Sequence, residues 1–97
     1  MGFKQAKAQI LKALREGRVQ HEARSAQDQT NLLAIGAVST VEAISIIQQT
    51  RGDQAEPRPL HADPSITVWI LKPAGWYIKF YFLDTAWFVS FHPPRVR

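Results

Sequence analysis

Cysteine is missing from the 97-residue chain. Its absence excludes a disulfide framework and any cysteine-based zinc site. Histidine is scarce: His21, His61 and His92 lack the spacing of a metal motif, so no metal or other cofactor is expected. No apolar run follows the first lysines, which argues against a secretory signal. The longest apolar segment, NLLAIGAVSTVEAISII, is interrupted by Gly36, Ser39, Thr40 and Glu42. It reads as two helices of a soluble protein, not as a membrane span. A cytoplasmic protein without a membrane partner is the expectation.

Acidic residues are the minority sign, 8 against 12 lysines and arginines, for a net charge of +4. The imbalance sits at the ends. Residues 1–24 carry Lys4, Lys7, Lys12, Arg15, Arg18 and Arg24 against Glu16 and Glu22. Residues 64–97 carry Lys72, Lys79, Arg95 and Arg97 against Asp84 alone, and the stretch between is acidic. Two basic ends suit an anionic partner such as RNA, although a merely soluble basic protein has the same composition. The length fits one compact domain over residues 1–97. With 45% hydrophobic residues, including three tryptophans and five phenylalanines, the chain can fill a small core.

Phe3, Ala6, Ile10 and Leu14 recur at helical spacing, and Gly17 closes that helix. Arg18–Ala23 suits a short strand. Ser25 is placed to cap a second helix through Leu32, Leu33 and Ile35, ended by Gly36. Ser39-Thr-Val-Glu42 is a capping box that opens a third helix, with Val41, Ala43, Ile44 and Ile47 inside. Residues 51–64 hold three prolines and a glycine without periodicity, and read as an exposed loop.

Three strands are expected over 65–72, 76–83 and 86–92. If Pro73-Ala74-Gly75 and Asp84-Thr85 are their loops, the pairs Ile70–Ile78, Val68–Phe80, Ile66–Phe82, Phe80–Val89, Phe82–Trp87 and Ile78–Phe91 are all apolar. That face packs on the helices. The opposite face collects Tyr77 across from His92, Lys79 between Trp69 and Ser90, and Tyr81 between Thr67 and Phe88. The expected class is α+β, with two or three N-terminal helices on one face of a C-terminal antiparallel sheet.

The opposite face has the parts for metal-free RNA cleavage. A histidine titrates near neutrality and can move a proton, and Tyr77 stands beside it. Lys79, with Arg58 nearby, can stabilise charge on phosphorus. Trp69 offers a stacking plane for a base, and Lys72 and Arg95 can hold the strand. The plainer reading is that these are ordinary residues of a sheet's wet face.

The order of a helix, the Gly17-Arg-Val strand, the Ser25-Ala helix start and the Ser39–Gln48 helix resembles the MqsR family of type II toxins. So do Thr67-Val-Trp69, Trp76-Tyr-Ile-Lys79 and Val89-Ser-Phe91. The likeness runs over roughly residues 8–92 and rests on short matches. It implies a small ribonuclease with a RelE-like fold, paired with an antitoxin. It also implies a role in cleavage for Tyr77 and for His92, which replaces the family's usual lysine, with Arg58 as a further basic residue. The family's Phe-Tyr-Lys-Ser-Met segment is replaced here by Ala55-Glu-Pro-Arg-Pro59, and its glutamine after the tryptophan by Ile70. The expectation is therefore a metal-independent endoribonuclease acting on mRNA, free or on the ribosome, and neutralised by a cognate antitoxin. The alternative is a binding or interaction module that uses the same basic face without catalysis.

Overall fold

The computed structural model describes residues 2–22 and 31–94. The elements are α1 (Phe3–Glu16), β1 (Val19–His21), α2 (Thr40–Gln48), β2 (Ala55–Pro59), β3 (Thr67–Leu71), β4 (Tyr77–Leu83) and β5 (Thr85–His92). The strands form one sheet in the order β1-β5-β4-β3-β2. The fold is α+β, with both helices against one sheet face. The sheet is mixed and not wholly antiparallel, because β1 lies parallel to β5 at the edge, Val19 opposite Ala86 and His21 opposite Phe88.

α1 ends as its sequence suggests, with Gly17 in the left-handed conformation at φ 69°. α2 opens with the expected capping box: Glu42 N–H donates to Ser39 Oγ, and the Glu42 carboxylate accepts from Ser39 N–H. Ala43 and Ile47 are buried beneath it, but Val41 is 76% exposed and not part of the core. The two helices are tied by Lys7, whose ammonium donates to the carbonyls of Gln48 at 2.7 Å and Thr50 at 2.9 Å. Those are orphan acceptors at and just past the C-terminal end of α2, where a cation also meets the negative end of the helix dipole.

Two segments depart from the sequence reading. Residues 32–36 form a turn and not a helix: Ile35 N–H donates to Asn31 and Val38 N–H to Leu32. The proposed start of that helix at Ser25 lies outside the described residues. The presumed loop 51–64 contains the edge strand β2. Its prolines hid it, yet they obey strand chemistry. Lys72 N–H donates to Gln54 and Leu60 N–H to Ile66. Those bonds set the phase, so Pro57 and Pro59 occupy outward positions where a missing N–H costs no ladder bond.

The strand register differs near both turns. The β3–β4 connection is one residue longer than a Pro73–Gly75 loop, with Trp76 N–H donating to the Pro73 carbonyl and Gly75 at φ 84°. Trp69 therefore pairs with Phe80, and Leu71 with Ile78. A one-residue slip turns a strand over. Trp69 and Leu71 face the helices, and Val68 and Ile70 face away. The larger apolar surface wins the core: the Trp69 ring packs at 5.9 Å from Phe3, and its residue is 5% exposed. Between β4 and β5 the chain reverses around Asp84 at φ 65°, a conformation that aspartate tolerates better than most residues. Phe82 then pairs with Ala86, and Phe80 with Phe88. A bulge beside Lys79 and Phe80 takes up the extra residue, Val89, and restores the expected register beyond it. Phe88, not Val89, enters the core with Phe80 and Phe91.

Candidate functional site

The sheet face that carries no helix among the described residues is built from alternate residues of β2 to β5. Because the bulge restores register, Tyr77 opposes His92 and Lys79 opposes Ser90. Their neighbours Ile78 and Phe91 point the other way into the core. The Tyr77 and His92 rings are stacked, with centroids 5.1 Å apart and planes 19° from parallel. Lys79 pairs across β3 with Ile70, which in turn opposes Glu56 on β2. Arg58 opposes Val68. Lys72, bonded through its backbone to Gln54, continues the same face beside the Tyr77 end of β4.

The His92 Nδ1 lies 2.6 Å from the Pro93 carbonyl, an atom that can only accept. A hydrogen bond there requires the tautomer with its proton on Nδ1, which leaves Nε2 as the acceptor nitrogen. Arg58 donates to the Glu56 carboxylate at 2.9 Å. That hydrogen bond raises the guanidinium pKa, and nearby Tyr77 adds to the shift. The Glu56 carboxyl is correspondingly lowered, by Arg58 first and by the charge of Lys72 as well. This pair is solvent-exposed and weak, so a phosphate can compete for Arg58.

Beside this cluster a second, smaller apolar group covers part of the open face: Val68, Tyr81 and Val89 are buried there, with Leu60, Ile66, Ile70 and Trp87 against them. The Tyr81 hydroxyl donates to Glu22 at 3.0 Å, across 59 positions of sequence. Burial, and then the Glu22 carboxylate, push the Tyr81 pKa up, so this phenol stays a neutral donor. The Leu60–Ala62 loop overhangs the group and leaves an open cavity of about 500 Å³ reaching to Arg58 and Lys79.

The structure thus brings together Tyr77, His92, Lys79, Lys72 and Arg58. It removes Trp69, which is in the core on the opposite side of the sheet and cannot stack a base. Arg95 lies outside the described residues. Sequence reasoning placed Tyr81 on this face but missed Glu22 and His61 as its neighbours. Glu22 and His61 sit at a strand end and in a loop, where no periodicity gives a direction. Nor did it foresee Val89 and Ile70 on this side, because both positions depend on the bulge and the longer turn. No helix among the described residues is long and apolar enough to cross a membrane. Compared with known proteins, the chain matches no family model, and no curated protein or solved structure matches it significantly.

Proposed function

We propose that the chain is a metal-independent endoribonuclease that cleaves mRNA by attack of a 2′-hydroxyl, and that it is the toxin of a type II toxin–antitoxin pair acting in the cytoplasm. The observation that carries this reading is the stacked Tyr77–His92 pair, with His92 Nε2 left as the acceptor nitrogen, on a face shared with Lys79, Lys72 and Arg58. The resemblance to the MqsR toxins supports the same residues and supplies the antitoxin.

In this reading His92 Nε2 takes the proton of the 2′-hydroxyl, and the oxygen attacks phosphorus. A 2′,3′-cyclic phosphate forms as the bond to the 5′-oxygen breaks, and that oxygen takes a proton from the Tyr77 hydroxyl. Lys79 and Arg58 stabilise the charge that builds on phosphorus. Lys72 holds a neighbouring phosphate.

RNA incubated with the protein in EDTA is expected to be cut, and an RNA carrying 2′-deoxyribose at the cut site to survive. Binding of RNA without cutting in EDTA would leave a binding module in place of an enzyme, and cutting by His92→Ala at the wild-type rate would make the histidine an ordinary residue of the sheet surface. In cells, expression alone should arrest growth, and co-expression of the neighbouring gene should restore it. Unimpaired growth at high expression contradicts the toxin assignment.

A further inference from the structure

We infer that the cavity beside Lys79 is a nucleotide subsite, with the base on the half-buried aliphatic side chains of Ile70 and Leu60 and the phosphate on Lys79 and Arg58. Its volume of about 500 Å³ lies within the usual range for small-molecule sites. Its floor is apolar, while Arg58, Lys79 and His61 line the rim. A simple anion has no use for the floor, and a simple apolar ligand does not match the cations. A flat, weakly polar ring joined to an anionic group satisfies both. At one end of the cavity the Tyr81 hydroxyl donates to the Glu22 carboxylate at 3.0 Å.

Lys79 belongs both to this cavity and to the Tyr77–His92 face, being paired with Ile70 on one side and Ser90 on the other. A nucleotide seated here therefore lies next to the bond cleaved under the proposed function, on which the RNA identity of the ligand rests. Aliphatic side chains replace the exposed tryptophan as the surface on which the base lies.

The test is an NMR titration with the nucleoside 3′-monophosphates, with the corresponding nucleosides and with inorganic phosphate, following the backbone amides of Ile70, Lys79 and Val89. At least one monophosphate is expected to move these amides and to bind about tenfold or more tightly than either phosphate or its nucleoside. Ile70→Glu, which sets a carboxylate on the floor, should weaken it about tenfold or more. Ala62→Trp, at an exposed rim position that does not disturb the core, should do the same by filling the cavity. Equal binding of phosphate alone, shifts confined to the Tyr77 and His92 amides, or no binding at millimolar concentration would each overturn the subsite. RNA cleavage measured on the same preparation separates the two claims. Cutting without mononucleotide binding removes the subsite and leaves the ribonuclease. Binding without cutting does the reverse.

Discussion

A residue is legible in a sequence when its role depends on its immediate neighbours, and Tyr77 and His92 show how far that reaches. Alternation along β4 and β5 put both on one face, and their stacking follows from a pairing that the bulge leaves intact. The Nδ1–carbonyl bond of His92 was not legible, because it depends on how Pro93 turns the chain. If Nε2 is the base, His92→Ala should slow cleavage by roughly 10²–10⁴-fold in a single-turnover assay. His92→Lys should keep more activity. Tyr77→Phe retains the ring stack and removes only the hydroxyl, so a comparable loss of rate identifies proton donation, and an unchanged rate limits Tyr77 to positioning. A second histidine acts on stability. Burial lowers the His21 pKa, and its Nδ1 accepts from the Asn31 amide at 3.0 Å, so the folded state resists protonation there. Below the ordinary histidine value of about 6.5 the unfolded chain binds a proton that the folded one does not. Stability should therefore fall as pH drops from about 6.5 toward the folded pKa, and this contribution should be level above about 6.5. Glutamine can accept the same hydrogen bond without titrating, so His21→Gln should flatten that part of a melting-temperature profile. A slope unchanged in the variant would assign it to another group. The lowered carboxyls of Glu42, Asp53, Glu56 and Asp63 act in a separate window, below the ordinary carboxyl range.

At the scale of elements, helices with caps were the most readable parts, since Gly17 and the Ser39–Glu42 box act within a few residues of themselves. Four of the five strands among the described residues were found where they lie, but the faces of β3 and β5 depended on connections. One extra residue between β3 and β4 exchanged Trp69 for Ile70, and Val89 replaced Phe88 on the open side because the bulge sits there. β2 was hidden for a different reason. Composition marks proline as a loop residue, and only the hydrogen-bond phase of a neighbouring strand shows that Pro57 and Pro59 are harmless. Burial of Trp69 against Phe3 predicts that Trp69→Ala costs about 3–5 kcal/mol of stability in denaturant melts. Trp69→Phe, which keeps most of the packing, should bind RNA as the wild type does. A specific loss of RNA affinity in that variant would return the indole to the binding face. Lys7 joins α1 to the end of α2 through two carbonyls, so Lys7→Met should cost about 1–2 kcal/mol without altering cleavage.

For the whole molecule, the layout divides labour between two faces. One face of the sheet, with α1 and α2, supplies the apolar core; the other gathers Lys72, Lys79, Arg58, Tyr77 and His92 where solvent and a strand of RNA can reach them. The net charge of +4 favours polyanions generally, and under the proposed function the cations of this face would set the salt dependence of RNA binding. If Lys72, Lys79 and Arg58 each meet a phosphate, log affinity should fall against log salt with a slope near −2, about 0.7 per contact on a single strand. Lys79→Ala should lower both that slope and the rate, because its charge acts on bound substrate and transition state alike. The central claim, that this face cuts RNA through its own 2′-hydroxyl, is tested most directly by the ends of the fragments. RNA treated with purified protein in EDTA, analysed by mass spectrometry, should yield 2′,3′-cyclic phosphate on one fragment and a free 5′-hydroxyl on the other, both lost with His92→Ala. Intact RNA, 3′-hydroxyl and 5′-phosphate ends, or the same cyclic ends at wild-type rate from His92→Ala would contradict the account.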